Sequence, residues 1–422
     1  MDDLVRAVLG YLADPGSQPA GSNELFARLA AEKPILRGGS VWIVSRHDLV
    51  TKLARNRQLV MRLPDQWTNT PDVNRAVALV LQQLMPIQPP LDHQRLRRLL
   101  ASEFSAKATV GLRGRVQSIV DEVFAQPLAR GECEFVQDVC GPLPVYTTAA
   151  LLGLPDEDRP RVLEWAQTIN TLITHELISR VGGAGGQEQP AAPATPSSLA
   201  EVVGYIEELV EERTRKPGDD IVSRLARSAS PEDGKLSRQE LIAMVVMLLM
   251  TGIDTVGGAL ANVVTALDRN RAAWRRVVAD PSLAAAAYAE GIRLLPPTPM
   301  ATRIADADIE LGNITIPAGS TVILMYGAAN LDPAVFTDPT AFDLDRSEAN
   351  SLAFGHGAHY CLGASLAMLQ GEIVLQTLAR HCPDFTVVAG PARRRTELAF
   401  HSFAELNLRL TAQPRRPAPA EA

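Results

Sequence analysis

The chain has 422 residues, of which 46% are hydrophobic and 21% charged, a balance that excludes disordered, collagenous and small disulfide-stapled classes. Its 41 basic and 48 acidic residues leave a net charge of −7, which excludes a general nucleic-acid binder, since phosphate binding needs a basic surface. Only Lys33, Lys52, Lys107, Lys216 and Lys235 are lysines, so the positive charge is nearly all guanidinium, suited to fixed carboxylate pairing.

The N-terminus, Met1-Asp2-Asp3-Leu4, has no basic start and no apolar core of signal-peptide type, and the expected location is the cytoplasm. Asn23 to Ala31 reads as a short amphipathic helix, Ser40 to Val44 as a strand and His47 to Ala54 as a helix. Asp92 to Ser102 is basic and amphipathic, with His93, Arg95, Arg97 and Arg98 on one side and Leu96, Leu99 and Leu100 on another. Helical periodicity continues over Val110 to Phe124, Pro160 to Leu177 and Leu199 to Arg213. Between them, residues 182–198 are rich in Gly, Ala and Pro, as a linker or loop would be.

A long helix is expected from Ser237 to about Leu267, begun by a Ser237–Glu240 capping box and a Leu236–Leu241 staple. Leu241 to Met250 is apolar almost all round, which predicts a buried helix; this run is shorter than a membrane span. After Arg303 the texture turns to short strands: Ile309–Leu311, Ile314–Ile316 and Thr321–Leu324, with turns at Gly312-Asn313 and Pro317-Ala318-Gly319. Helix returns at Ala364 to His381, and residues 413–422 read as a disordered tail.

Four cysteines, Cys133, Cys140, Cys361 and Cys382, show no CxxC spacing and read by default as reduced, mostly buried thiols. Cys361 differs because it lies in the run Phe354-Gly355-His356-Gly357-Ala358-His359-Tyr360-Cys361-Leu362-Gly363. Two glycines permit tight turns, the cysteine stands at the mouth of a predicted helix whose amides favour a thiolate, and Gly363 leaves room for a flat ligand. Three readings fit these residues: a structural cysteine, a zinc site with His356 and His359, and a thiolate ligand to haem iron.

This run resembles the haem-binding signature of the cytochromes P-450 at every fixed position, Phe-Gly-x-Gly-x-His-x-Cys-x-Gly. Three more segments are similar in the same order: Glu290-Gly291-Ile292-Arg293 to the Glu-x-x-Arg helix, Phe342 to Arg346 to the segment carrying its partner arginine, and Gly252-Ile253-Asp254-Thr255 to the acid–alcohol pair of the central helix. The resemblance, which extends from about residue 23 to residue 411, implies a mainly α fold with small β-sheets, a triangular helical prism crossed by the long central helix over the haem. It implies one domain over residues 1–412, with 182–198 as a mobile lid over the pocket and not a linker.

The resemblance also implies haem b, with Cys361 as the axial iron ligand and Gly252, Phe354, Gly355 and Gly363 shaping its site. His93 and Arg97 would meet one propionate, and Arg303 and His359 the other; taken alone, His93–Arg97 reads as a solvated helix face. Asp254 and Thr255 would deliver protons as the catalytic pair, although a mid-helix threonine commonly bonds back to its own helix. Glu290, Arg293 and Arg346 would form a structural network holding the haem-side loop. Gly291 costs its helix about 1 kcal/mol relative to Ala, without an evident reason in the sequence.

Substrate contacts are expected from Met247, Thr251, Thr298, Met300, Ala301 and Phe400. The activity implied is hydroxylation or epoxidation of a hydrophobic small molecule, in bacterial specialised-metabolite (antibiotic) biosynthesis, by a monomer using O2 and electrons from a separate ferredoxin and its reductase. Phenol or C–C coupling, peroxide-driven chemistry and a non-catalytic haem sensor are the alternatives. Two departures stand out: Pro89-Pro90-Leu91-Asp92-His93 shifts the family's Asp-Pro-Pro-Glu-His by a residue, and Leu366-Ala367-Met368-Leu369-Gln370 lacks the arginine usual after the cysteine.

Overall fold

Helices α1 (Asp3–Ala13) and α2 (Ser22–Glu32) pack their apolar faces on each other, with Leu4, Val8 and Tyr11 against Leu25, Phe26 and Leu29. The computed structural model describes residues 2–13, 22–62, 80, 82–166, 196–227, 236–347, 350–388 and 400–411. Strands β1 (Ile35–Gly38) and β2 (Val41–Val44) form a hairpin turned by Gly39, and α3 (His47–Ala54) and β3 (Leu59–Val60) follow.

The middle of the chain is helical: α4 (Pro90–Ala101), α5 (Ala106–Gly111) and α6 (Arg113–Arg130), then β4 (Glu132–Glu134), a π-turn at Val136–Cys140 and α7 (Pro142–Leu152). The helix expected over Val110 to Phe124 is therefore two helices. Ser105 caps α5 by accepting from the Ala108 N–H, Leu112 closes it, and α6 runs on to the left-handed Gly131. A helix at 159–166 precedes residues outside the described set, which contain most of the proposed lid. Its last residues are not loop, because α8 (the helix Pro196–Arg215) starts at Pro196, a residue suited to a first helical turn. Numbering the 159–166 helix apart, α9 is Ile221–Arg227.

The central helix is interrupted. The Ser237–Glu240 capping box forms as expected, but α10 (Arg238–Thr251) stops at Gly252 and α11 (Ile253–Arg269) resumes after it. By length and hydropathy the stretch Arg238–Arg269 could cross a membrane, yet 75% of its most apolar window is buried inside the protein. Leu241 to Leu249 and Val256 to Leu267 are buried on all sides, as its near-continuous apolar sequence requires. Helices α12 (Arg271–Ala279) and α13 (Ala284–Leu294) fold back against α11. Gly291 now has its reason: a Cβ there would stand 2.7 Å from Val263 Cγ2, so its absence lets α13 and α11 approach.

Strands β5 (Ala301–Ala305), β6 (Ile309–Leu311), β7 (Ile314–Ile316) and β8 (Thr321–Leu324) come next, the last three with the expected bounds. The larger sheet has the order β1-β2-β8-β5-β3, with β2 and β8 parallel and the other pairs antiparallel. Helices α14 (Tyr326–Ala329) and α15 (Ala364–His381) follow; α15 matches its expected range and packs on α13 and α6. Strands β9 (Asp384–Val387) and β10 (Asn407–Thr411) join β4 in a small sheet. The expected tail, 413–422, lies outside the described residues.

Candidate functional site

The loop before α15 is shaped by backbone contacts that only glycine allows. Gly357 has φ +72°, and a Cβ on it would stand 2.4 Å from the Ala54 carbonyl oxygen at the end of α3. The same helix grips the loop twice more. Arg55 Nε donates to His356 Nε2 at 2.7 Å, and His47 Nε2 lies 2.8 Å from the Asn350 carbonyl. The Cys361 N–H donates to the Phe354 carbonyl at 2.9 Å, closing the loop on itself. Phe354 is half-buried and meets Tyr360 edge-on, with centroids 6.4 Å apart.

Burial raises the Cys361 thiol pKa above 9.0, against the opposing pull of the Gly363 amide and Arg97. The helix-mouth amides expected to favour a thiolate are therefore outweighed by burial, and a coordinated metal ion would favour the thiolate in their place. Although enclosed by protein, Cys361 is exposed, unlike the buried Cys133, Cys140 and Cys382. The Cys361 side chain, crowded by protein yet accessible, faces open space. Gly363 borders open space as well, with nothing within 4 Å of where its Cβ would stand.

Beside this space lie four basic side chains from three segments. His93 and Arg97 come from α4, Arg303 from β5 and His359 from the cysteine loop. The rings of His93 and His359 are 4.5 Å apart, and Arg97 Nη2 donates to the Tyr360 carbonyl at 2.6 Å. His93 and Arg303 are 4% and 5% exposed. Among the described residues no carboxylate pairs with any of the four. Burial, then the neighbouring arginines, depresses His93; burial depresses Arg97 and Arg303; and burial with Arg303, His93 and Arg97 drives His359 down to about 3. Such clustering is costly unless an anion occupies it. A flat ligand with two carboxylates and a metal that takes a thiolate satisfies the cations, the open face of Gly363 and Cys361 together. Haem has that chemistry, and the residues fit it.

On the central helix, Thr251 is exposed and Gly252, Asp254 and Thr255 are half-buried, between long stretches that are fully buried. The Thr255 hydroxyl donates to the Thr251 carbonyl at 2.8 Å, the back-bonded state common for helical threonine. Thr298, Ala301 and Phe400 are partly accessible, as wall residues would be, whereas Met247 is buried. Met300 departs from its expected place: it is 6% exposed and packs in the cluster of α1 and α2. Its neighbour Ala301 starts β5, where successive side chains point to opposite faces.

Glu290 and Arg293 on α13 are 5% and 1% exposed. Arg293 Nε and Nη2 bind the Glu290 carboxylate at 2.7 and 2.8 Å, and the remaining donors reach the carbonyls of Asn330, Pro339 and Ala341. Arg346 Nε and the Asp343 N–H also donate to Glu290 Oε1, at 3.1 and 3.0 Å. All five guanidinium donors of Arg293 are thus used, which is what a buried charge requires. The His47–Arg55 clasp escaped the sequence reading, because its partners lie about 300 residues away and no local spacing marks them.

A sequence model of the cytochrome P450 family matches residues 195–387. The chain is 29% identical over 387 residues to the biotin biosynthesis cytochrome P450 of Bacillus subtilis, covering 90% of this chain and 94% of that one. It is 32% identical over 375 residues to the cytochrome P450 monooxygenase PikC of Streptomyces venezuelae, covering 87% and 85%. Its structure is similar to that of P450BioI in complex with an acyl carrier protein ligated to hexadec-9Z-enoic acid, with a TM-score of 0.80, 28% identity and coverage of 95% and 99%.

Proposed function

The chain belongs to the cytochrome P450 family of haem-thiolate enzymes, and we propose that it hydroxylates or epoxidises a hydrophobic small molecule of the specialised-metabolite kind, with electrons from a separate ferredoxin and its reductase. The cluster of His93, Arg97, Arg303 and His359, with which no carboxylate among the described residues pairs, beside an enclosed, accessible thiol carries this reading. Bound haem supplies the redox and oxygen chemistry, and a cysteinate ligand favours O–O cleavage by donating electron density.

The chain's own residues do the rest. His93, Arg97, Arg303 and His359 hold the two carboxylates of the cofactor, and Cys361 supplies the thiolate. The clasp from α3 and the Gly363 amide fix the sulfur's position. Glu290, Arg293 and Arg346 keep the backbone before the loop in register. Asp254 and Thr255 handle protons at the interruption of the central helix, where the Thr255 hydroxyl can turn from the Thr251 carbonyl toward a reacting oxygen. Apolar side chains around Ala301 and Phe400 orient the substrate and exclude water. The acyl chain on the carrier protein bound to P450BioI supports a hydrophobic substrate.

The test has two stages. The reduced protein with carbon monoxide should give the thiolate-type Soret band, which Cys361→Ala abolishes; its absence in the parent, or survival in the variant, removes the haem-thiolate reading. Substrate-dependent NADPH consumption with ferredoxin and reductase then separates a monooxygenase from a haem sensor, which consumes none. Thr255→Ala should keep the ligand-induced Soret shift but lower the product formed per NADPH. Coupled products, or turnover with peroxide alone, would favour the alternative chemistries.

A further inference from the structure

Asn262 lies on α11, seven residues past Thr255, and is fully buried. Its Nδ2 donates to two carbonyls from separate parts of the chain: Leu295 at 3.1 Å and His401 at 2.6 Å. The two segments also bind each other, the His401 N–H donating to the Pro297 carbonyl at 2.7 Å. One turn earlier, a Cβ on Gly258 would stand 2.9 Å from Ser402 Cβ and 3.4 Å from Pro297 Cβ. The helix surface is therefore cut away where both segments lean on it. Asn262 Oδ1 has no hydrogen-bond partner among the described residues, so its retention in this buried place is not explained by the satisfaction of its own polar atoms. Its two donors are what the junction uses.

We propose that Asn262 is a positioning residue for the substrate. The amide sets the separation between two parts of the pocket wall, Thr298 with Ala301 on one side and Phe400 on the other, by binding the backbone next to each. The helix that carries Asp254 and Thr255 thereby also fixes the wall against which substrate rests. Widening that separation moves substrate relative to the reacting centre while leaving the cofactor's own contacts intact.

The inference rests on the haem-pocket reading above, and the experiment separates the two. Asn262→Leu removes both donors at similar volume, and Asn262→Gln keeps an amide on a longer arm. Thr265→Ala, which loses only the bond to the Ala261 carbonyl of the same helix, controls for general loosening. Each holoprotein is titrated with imidazole, which reaches iron with little wall contact, and with 4-phenylimidazole, whose ring meets the wall. We expect the thiolate-type carbon-monoxide band in every variant. Asn262→Leu should weaken 4-phenylimidazole by about tenfold, in keeping with the sensitivity of positioned ligands to small displacements, and imidazole by less than about twofold. Asn262→Gln should fall between, and Thr265→Ala should leave the ratio of the two affinities unchanged. Equal weakening of both azoles, or no weakening of either, overturns the inference and leaves the haem-thiolate reading standing. Loss of haem in both Asn262 variants but not in Thr265→Ala also overturns it, by making Asn262 a folding residue. Absence of the thiolate band in the parent protein defeats the earlier reading instead.

Discussion

Glu290→Ala tests the buried ion-pair network directly. The substitution strips Arg293 of both carboxylate bonds while its side chain stays 2% exposed, and it orphans the Asp343 N–H and Arg346 Nε. Breaking a buried pair by removing one partner costs about 3–5 kcal/mol, because the remaining charge has no solvent to turn to. Against a typical total of about 5–15 kcal/mol, that is roughly a fifth or more of a protein's stability. Glu290→Gln keeps an oxygen for Asp343 and Arg293 but drops the charge, so its cost should be smaller, about 1.5–3 kcal/mol. Urea denaturation of the holoprotein, followed by tryptophan fluorescence and by the Soret band, measures both. The midpoint should fall in the order parent, Gln, Ala with the slope unchanged. A loss below about 1 kcal/mol for Ala would place the pair with ordinary surface salt bridges and refute the argument.

Gly357→Ala forces a Cβ against the Ala54 carbonyl at a positive φ, and should cost about 1–3 kcal/mol in strain. It should also lower the haem-to-protein ratio read from pyridine haemochrome absorbance; a full haem complement would show that the α3 contact is dispensable. His93 gives a pH dependence. Burial, Arg97 and Arg303 hold its folded pKa below 6.5, so the unfolded chain takes up the proton first. Haem-free protein should therefore lose stability as pH falls below about 6.5, by at most about 1.4 kcal/mol per unit for this one proton. Bound propionates favour the charged form, so the holoprotein curve should be flatter. In the haem-free protein, His93→Gln should flatten the curve, and an unchanged slope would remove His93 as the source.

Much of the site was legible because its residues are close in sequence. The cysteine loop, the Glu290–Arg293 pair and the Asp254–Thr255 pair each occupy one short segment, and fixed spacing places such residues on one turn or face. Helices with a clear start and period, such as His47–Ala54 and Ala364–His381, came out at their observed ends. The breaks did not. Leu112 ends a helix because Ser105 caps a separate short one, and a periodic apolar pattern carries no mark of that competition. One helix was expected from Ser237 to about Leu267, with Gly252 only shaping the haem site, whereas Gly252 separates two helices. Met300 was expected in the pocket on the strength of the resemblance, whereas its side chain packs in the core of α1 and α2. Side-chain clasps between distant segments, such as Arg55 with His356 and Asn262 with His401, depend on tertiary placement that local spacing does not encode.

The clasp between α3 and the cysteine loop bears on the order in which the chain is made. Residues 47–55 leave the ribosome before those of α4, Arg303 much later, and the loop ending at Gly363 after all of them. Domains generally begin to fold while the chain is still emerging, yet the backbone surface offered by Ala54 has no partner until Gly357 arrives. Of these site residues Cys361 is delivered last. Capture of a cofactor through Cys361 would therefore wait until residue 361 has been made, and His93, Arg97 and Arg303 would spend the preceding interval without the anion proposed to hold them together.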